Sequence, residues 1–164
     1  MMPKVLCCID NTEASVRALA AATELARKFH AGLVLFAANP LLPGRGGPIY
    51  LWPEEYVASM VEEAARRARF AGINNVECVR CRAIKVADAI VGYADDNAVD
   101  YIVVGTNDRS GLARAIGGSV SREVIALANC PVLTVRRLRN EQGPPPKRGL
   151  RRPIKMPVAA AAVP

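Results

Sequence analysis

Apolar and polar positions divide the chain into alternating short runs and longer periodic stretches. Val5-Leu6-Cys7-Cys8-Ile9 is a continuous apolar run that stops at Asp10-Asn11-Thr12, as a buried strand running into a turn does. Thr12 is placed to cap a helix, with Glu13 favourable in its first turn. Ala18, Ala22, Leu25, Ala26 and Phe29 recur at helical spacing, and Ala31-Gly32 is expected to end that helix. Residues 33–38 form a second apolar run, read as a buried strand. Residues 39–53 hold four prolines and three glycines and are expected to be a long loop. A helix is predicted over about residues 53–71, with Pro53 tolerated in its first turn. Residues 75–82 alternate as a third strand. Val86, Ala89, Ile90 and Tyr93 mark another helix. Residues 100–104 are a fourth strand that ends at Gly105, and residues 106–118 are glycine-rich and polar. A short helix over 119–128 and a fifth strand over 131–135 follow.

Strands alternating with helices predict a parallel sheet covered on both faces: a three-layer α/β/α open sheet of five parallel strands. Right-handed crossovers favour the order 3-2-1-4-5. That order puts a topological switch between the first and fourth strands. Ligands of such sheets bind outside the strands' carboxyl ends at the switch. Here those ends are Ile9-Asp10 and Val104-Gly105.

Charge changes the picture only at one end. The 164 residues carry a net charge of +7. Residues 1–135 hold 14 Lys+Arg and 14 Asp+Glu, whereas residues 136–164 hold 8 Lys+Arg and only Glu141. A domain over residues 1–137, neutral through residue 135, is therefore expected to precede a basic, Pro/Arg/Ala-rich tail over 138–164. That tail is read as disordered, because it offers too little apolar surface to offset the cost of ordering. No apolar run is long enough to span a membrane, and no export signal is visible, so the expected location is the cytoplasm, with the five cysteines reduced.

The segment Gly105-Thr106-Asn107-Asp108-Arg109-Ser110-Gly111, continuing to Gly117-Gly118-Ser119-Val120-Ser121, leaves a strand and opens a helix. Gly105 would admit a ligand close to the strand end. Gly118-Ser119 would offer N–H groups and a hydroxyl to an anion, helped by the helix dipole. A plain loop with a serine cap reads equally well from these residues. Asp10 likewise reads either as a ligand contact or as a turn residue or helix cap. Cys78 and Cys81 have a C-x-x-C spacing, but on a strand they face opposite sides, and a metal site would need two further ligands. No Gly-x4-Gly-Lys-Ser/Thr run, no Gly-x-Ser-x-Gly run and no second carboxylate suited to a phosphoacceptor after the third strand is present.

The loop resembles the signature of the universal stress protein family, whose nucleotide-binding members carry Gly, two residues, Gly, nine residues, Gly, then Ser or Thr. Gly105, Gly118 and Ser119 match in place and spacing; Asp108 stands where the second glycine is expected, and Asn107 precedes it. Residues 5–10 with Glu13-Ala14-Ser15, residues 100–105 and residues 129–135 resemble the family's first, fourth and last strands. The resemblance covers residues 3–136. It implies an adenine-nucleotide-binding, Rossmann-like fold of the adenine nucleotide alpha hydrolase type, with ATP or another adenine nucleotide as ligand and slow or no hydrolysis.

Carried over residue by residue, it implies that Asp10 contacts the adenine or ribose edge, with Cys8 and Ile9 lining the base pocket. Ala37, at the end of the second strand, packs near the base, and Val104 and Gly105 lie by the ribose. Gly118, Ser119, Val120 and Ser121 hold the phosphates, beside Asn107 and Asp108. Asp108 near a triphosphate costs about 4 kcal/mol at ~4 Å and an effective dielectric near 20, which would favour a smaller or less charged ligand or recruit Mg²⁺, unless Asp108 turns outward or Arg109 and Arg114 compensate. The resemblance further implies a homodimer paired through residues 132–135. A different class of reading is an adaptor without a nucleotide, acting through its dimer surface and a basic tail that binds nucleic acid or an anionic surface, although a solvated tail that aids solubility is the favoured reading of that segment.

Overall fold

The computed structural model describes residues 2–106 and 120–136. Its strands are β1 (Lys4–Cys8), β2 (Gly32–Leu42), β3 (Ile49–Tyr50), β4 (Val76–Ala83), β5 (Tyr101–Gly105) and β6 (Val132–Val135). Its helices are α1 (Glu13–Phe29), α2 (Glu54–Phe70), α3 (Val86–Asp96) and α4 (Val120–Leu127). The five main strands are parallel and ordered β4-β2-β1-β5-β6. This is the expected 3-2-1-4-5 arrangement, with the small β3 added.

Alternation along the strands feeds two cores. Val5, Cys7, Ile9, Leu33, Leu35, Ala37 and Val103 turn to one face, where the Ala-rich stripes of α1 and α2 bury them. Leu6, Val34, Phe36, Ile102 and Val104 turn to the other, against α3 and α4. Both faces of the sheet are covered, which is why the central strands read as unbroken apolar runs. On α1, Ala14, Ala18, Ala22 and Ala26 let the helix axis approach the sheet closely.

Thr12 caps α1 as expected, its Oγ1 accepting from the Ser15 N–H at 3.2 Å. The C-terminal end differs from the expectation. The helix stops at Phe29, and His30, not a glycine, takes the left-handed conformation at φ 50°. The His30 N–H is directed at the Ala26 and Arg27 carbonyls, and the Ala31 N–H donates to Ala26 at 2.8 Å. Those bonds satisfy the helix end without glycine.

The larger difference is in residues 39–53. The second strand does not stop at Ala38 but runs on to Leu42, then folds back as antiparallel β3, pairing Leu41 with Tyr50 and Leu42 with Ile49. Asn39 makes this possible. It is 2% exposed, its Nδ2 donates to the Trp52 carbonyl at 2.8 Å, and its Oδ1 accepts from the Trp52 N–H at 3.2 Å. The side-chain amide thus extends the β2–β3 ladder, and Trp52 packs at the rim of the α1/α2 core.

Hydrogen-bond parity fixes where β3 stands. The Gly32 N–H donates to Pro3 and the Phe36 carbonyl accepts from Ile9, each at 2.8 Å, so even-numbered residues of β2 turn their main chain toward β1. The Leu33 N–H donates to Asn75 at 2.9 Å, so odd-numbered residues face β4. The Leu51 N–H donates to the Pro40 carbonyl at 3.0 Å. Pro40 is even-numbered, so β3 lies along the edge of β2 that β1 occupies, beyond the carboxyl end of β1.

Candidate functional site

The β1–β5 register pairs Cys7 with Val103; continued upward, it brings Ile9 level with Gly105. After these residues the two strands part, β1 into α1 on one face and β5 toward α4 on the other. The crevice between them lies under β3.

Asp10 sits at the lip of this crevice, exposed. Its Oδ1 accepts from the Thr12 N–H at 2.9 Å and from the Thr12 hydroxyl at 2.6 Å, while its own N–H donates to Ser15 Oγ at 3.0 Å. This is an Asx-type turn, so the turn reading of Asp10 is realised in full. The same bonds fix the carboxylate's direction and leave it at the surface, which a ligand contact also needs.

The alternation of β1 separates Cys8 from Ile9. Ile9 is buried in the α1/α2 core, and Cys8 is half-buried against the α3/α4 core, so they do not line one wall. Burial pushes the Cys8 thiol well above its ordinary range, with the neighbouring Cys7 and Asp10 adding to it. Ala37 is not at the end of its strand. It is fully buried in mid-strand, and its main chain is committed to β4, opposite Arg80. The residue that turns its N–H and C=O toward the crevice is Ala38, between Ile9 below and Leu51 above. Sequence reasoning missed it because a main-chain donor–acceptor pair is not written in a residue's identity; the length of β2 was the missing signal.

Val104 is buried in the α3/α4 core. Gly105 is half-buried, and its missing side chain is explained by packing. A Cβ there would lie 2.5 Å from the Ala14 carbonyl carbon and 2.9 Å from Ala14 Cβ. At the next residue, the Thr106 N–H donates to the Val135 carbonyl at 2.9 Å. Thr106 Oγ1 is buried and has no hydrogen-bond partner among the described residues. Val120 is exposed and Ser121 buried in the first turn of α4. Asn107, Asp108, Gly118 and Ser119 lie outside the described residues, as does the tail over 138–164.

Among the described residues no group of three or more His, Cys, Asp or Glu side chains is placed to hold a metal, and no helix is long and apolar enough to cross a membrane. Cys78 is exposed and Cys81 half-buried on opposite faces of β4, as strand geometry requires. A groove of about 620 Å³ lies at the opposite, amino end of the sheet, lined by Arg27, Lys28, His30, Asn74 and Asn75. It gathers the C-terminal ends of α1 and α2, where basic side chains offset the helix dipoles.

Known proteins share this architecture. A universal stress protein solved in complex with cAMP superposes with a TM-score of 0.66 at 27% identity, over 82% of this chain and 97% of that one. The universal stress protein from Archaeoglobus fulgidus, solved in complex with dAMP, gives 0.60 at 28% identity, over 82% and 98%. The universal stress protein YxiE of Bacillus subtilis (strain 168) is 31% identical over 151 residues, which span 83% of this chain and all of that protein. The universal stress protein family itself matches residues 1–136. That match takes in the whole described sheet and the crevice at its switch, and the chain belongs to the universal stress protein family.

Proposed function

We propose that this chain is a cytoplasmic stress-response module that holds an adenine nucleotide in the crevice at the carboxyl ends of β1 and β5. The observation that carries the reading is the opening on the β1-facing edge of β2. There the N–H and C=O of Ala38 stand between Ile9 and β3, and a purine edge, with its own donor and acceptor, matches such a pair. Asp10, set at the lip by its turn, takes the ribose hydroxyls. The Thr106 hydroxyl, which has no partner among the described residues, supplies a further polar group at the end of β5. Gly118, Ser119, Val120 and Ser121 receive the phosphates at the start of α4. The relatives solved with cAMP and dAMP support an adenine ligand.

Asp108 tunes the choice among adenine nucleotides. A carboxylate in place of glycine disfavours a bare triphosphate, so ATP binds as its Mg²⁺ complex and AMP without metal. The protein acts as a homodimer through β6, with residues 1–137 as the folded unit and the tail over 138–164 as a solvated basic extension. Calorimetry with AMP, ATP and Mg-ATP tests the ligand. Binding of AMP and Mg-ATP that is lost in Gly118→Trp is the expected result. Absence of heat at millimolar nucleotide, with no nucleotide co-purifying by mass spectrometry, overturns it in favour of the adaptor reading.

A further inference from the structure

The two edges of the sheet differ in kind. β6 is four residues long, whereas β4 has eight and, among the described residues, pairs only with β2. Because Leu33, Leu35, Ala37 and Asn39 stand opposite Val76, Cys78, Arg80 and Arg82, those four residues of β4 turn their own N–H and C=O groups outward. Among the described residues no strand or loop bonds to them.

On the α2 face of this edge the charged side chains of β4 are Arg80 and Arg82, while Glu77 stands on the opposite face and accepts from the Tyr93 hydroxyl. Arg80 and Arg82 share a single carboxylate, Glu54, at 3.3 and 3.6 Å. Arg82 also lies over the Tyr50 ring, 4.3 Å from its centroid, and donates to the Tyr50 hydroxyl at 3.3 Å. A recess of about 250 Å³ opens here, lined by Glu54, Arg80, Cys81 and Arg82. Two guanidiniums against one carboxylate leave an excess positive charge beside an unpaired run of main chain. The arginines also sort the occupants. A second copy added antiparallel at this edge would gather four guanidiniums against two carboxylates, and such like-charge crowding is unfavourable across strands. The chain's own residues 136–164, with 8 Lys+Arg and one Glu, carry the wrong sign as well.

We propose that the outer edge of β4 docks an extended acidic segment of a partner protein, which joins the sheet as an additional strand. Main-chain bonds to Cys78, Arg80 and Arg82 hold it, and acidic side chains at alternate positions meet Arg80 and Arg82. The same charge that rejects this chain's own copies selects the partner.

The probe is a labelled, end-capped peptide of about eight alternating Glu and Val residues, matched in length to β4, with a Lys/Val peptide as control. Fluorescence anisotropy on the full chain is expected to show binding of the Glu/Val peptide only. Arg80→Glu/Arg82→Glu is expected to reverse that preference. Cys78→Pro, which removes one outward N–H and no charge, is expected to weaken binding about tenfold or more. Amide exchange on the wild-type chain is expected to slow at Cys78, Arg80 and Arg82 when the peptide is bound, a readout that stands even where a variant fails to fold. No binding, binding without slowed exchange at these amides, or slowing at residues 132–135 instead overturns the proposal.

Discussion

Gly105, at the end of β5, lies against the main chain of Ala14 in the first turn of α1. The contact joins the two elements that part at the switch, and it leaves no room for a methyl group. Gly105→Ala is therefore expected to destabilise the fold by ~1–3 kcal/mol, as overpacking at a backbone contact does. Urea unfolding of the free protein measures this. Were glycine needed only for ligand approach, the variant would lose nucleotide affinity and keep its stability.

Asn39→Ala removes both bonds to Trp52 and leaves that residue's N–H and C=O to find water. The expected loss is roughly 1–3 kcal/mol. Hydrogen exchange checks where the loss falls: amides of residues 49–52 are expected to speed up, with those of β1 and β5 unchanged. A uniform change across the sheet would contradict a local clamp.

The strand order, the Thr12 cap and both faces of the sheet could be read from the sequence because apolar periodicity records burial directly. Residues 39–53 could not. Asn39-Pro40 has the composition of a turn, yet the Asn amide stands in for main-chain bonds, and Pro40 needs only its carbonyl there. His30 hid the end of α1 in the same way, by taking a left-handed conformation where the sequence offers Gly32 two residues later. At the site, Asp10 and Gly105 were legible as residue types. Ala38 was not, since its contribution is a pair of main-chain groups exposed by the length of β2.

Burial holds the Cys7 thiol far above its ordinary value of 9.0, and the charge of Asp10 adds to this. The folded state then keeps a proton that the unfolded chain releases, so stability is full below about pH 9 and falls as pH rises above it. The slope approaches about 1.4 kcal/mol per pH unit from this thiol, with Cys8 acting in the same direction. Urea midpoints at pH 8, 9 and 10 are expected to fall in the wild type and to fall less steeply in Cys7→Ala. Equal slopes would show that the thiol keeps its ordinary acidity in the fold.

At the β6 edge, Leu133 is 43% exposed on a strand that, among the described residues, pairs only with β5. Leu133→Arg is expected to turn a dimer into a monomer by light scattering at micromolar concentration, with the thermal transition of the monomer fold retained. A wild-type monomer at the same concentration would remove β6 as the dimer contact.

One edge of β2 carries two tenants, β1 below and β3 above, and the Phe36 and Pro40 carbonyls mark where each tenancy ends. Four residues of extended chain separate those carbonyls, about 13 Å at strand pitch. The height of the opening at Ala38 is thus set by strand pitch, and its upper rim is held by the Asn39 amide that clamps Trp52 after β3. An insertion or deletion within β2 would change that height by whole residues, whereas loss of the Asn39 amide would loosen its upper rim without changing the strand.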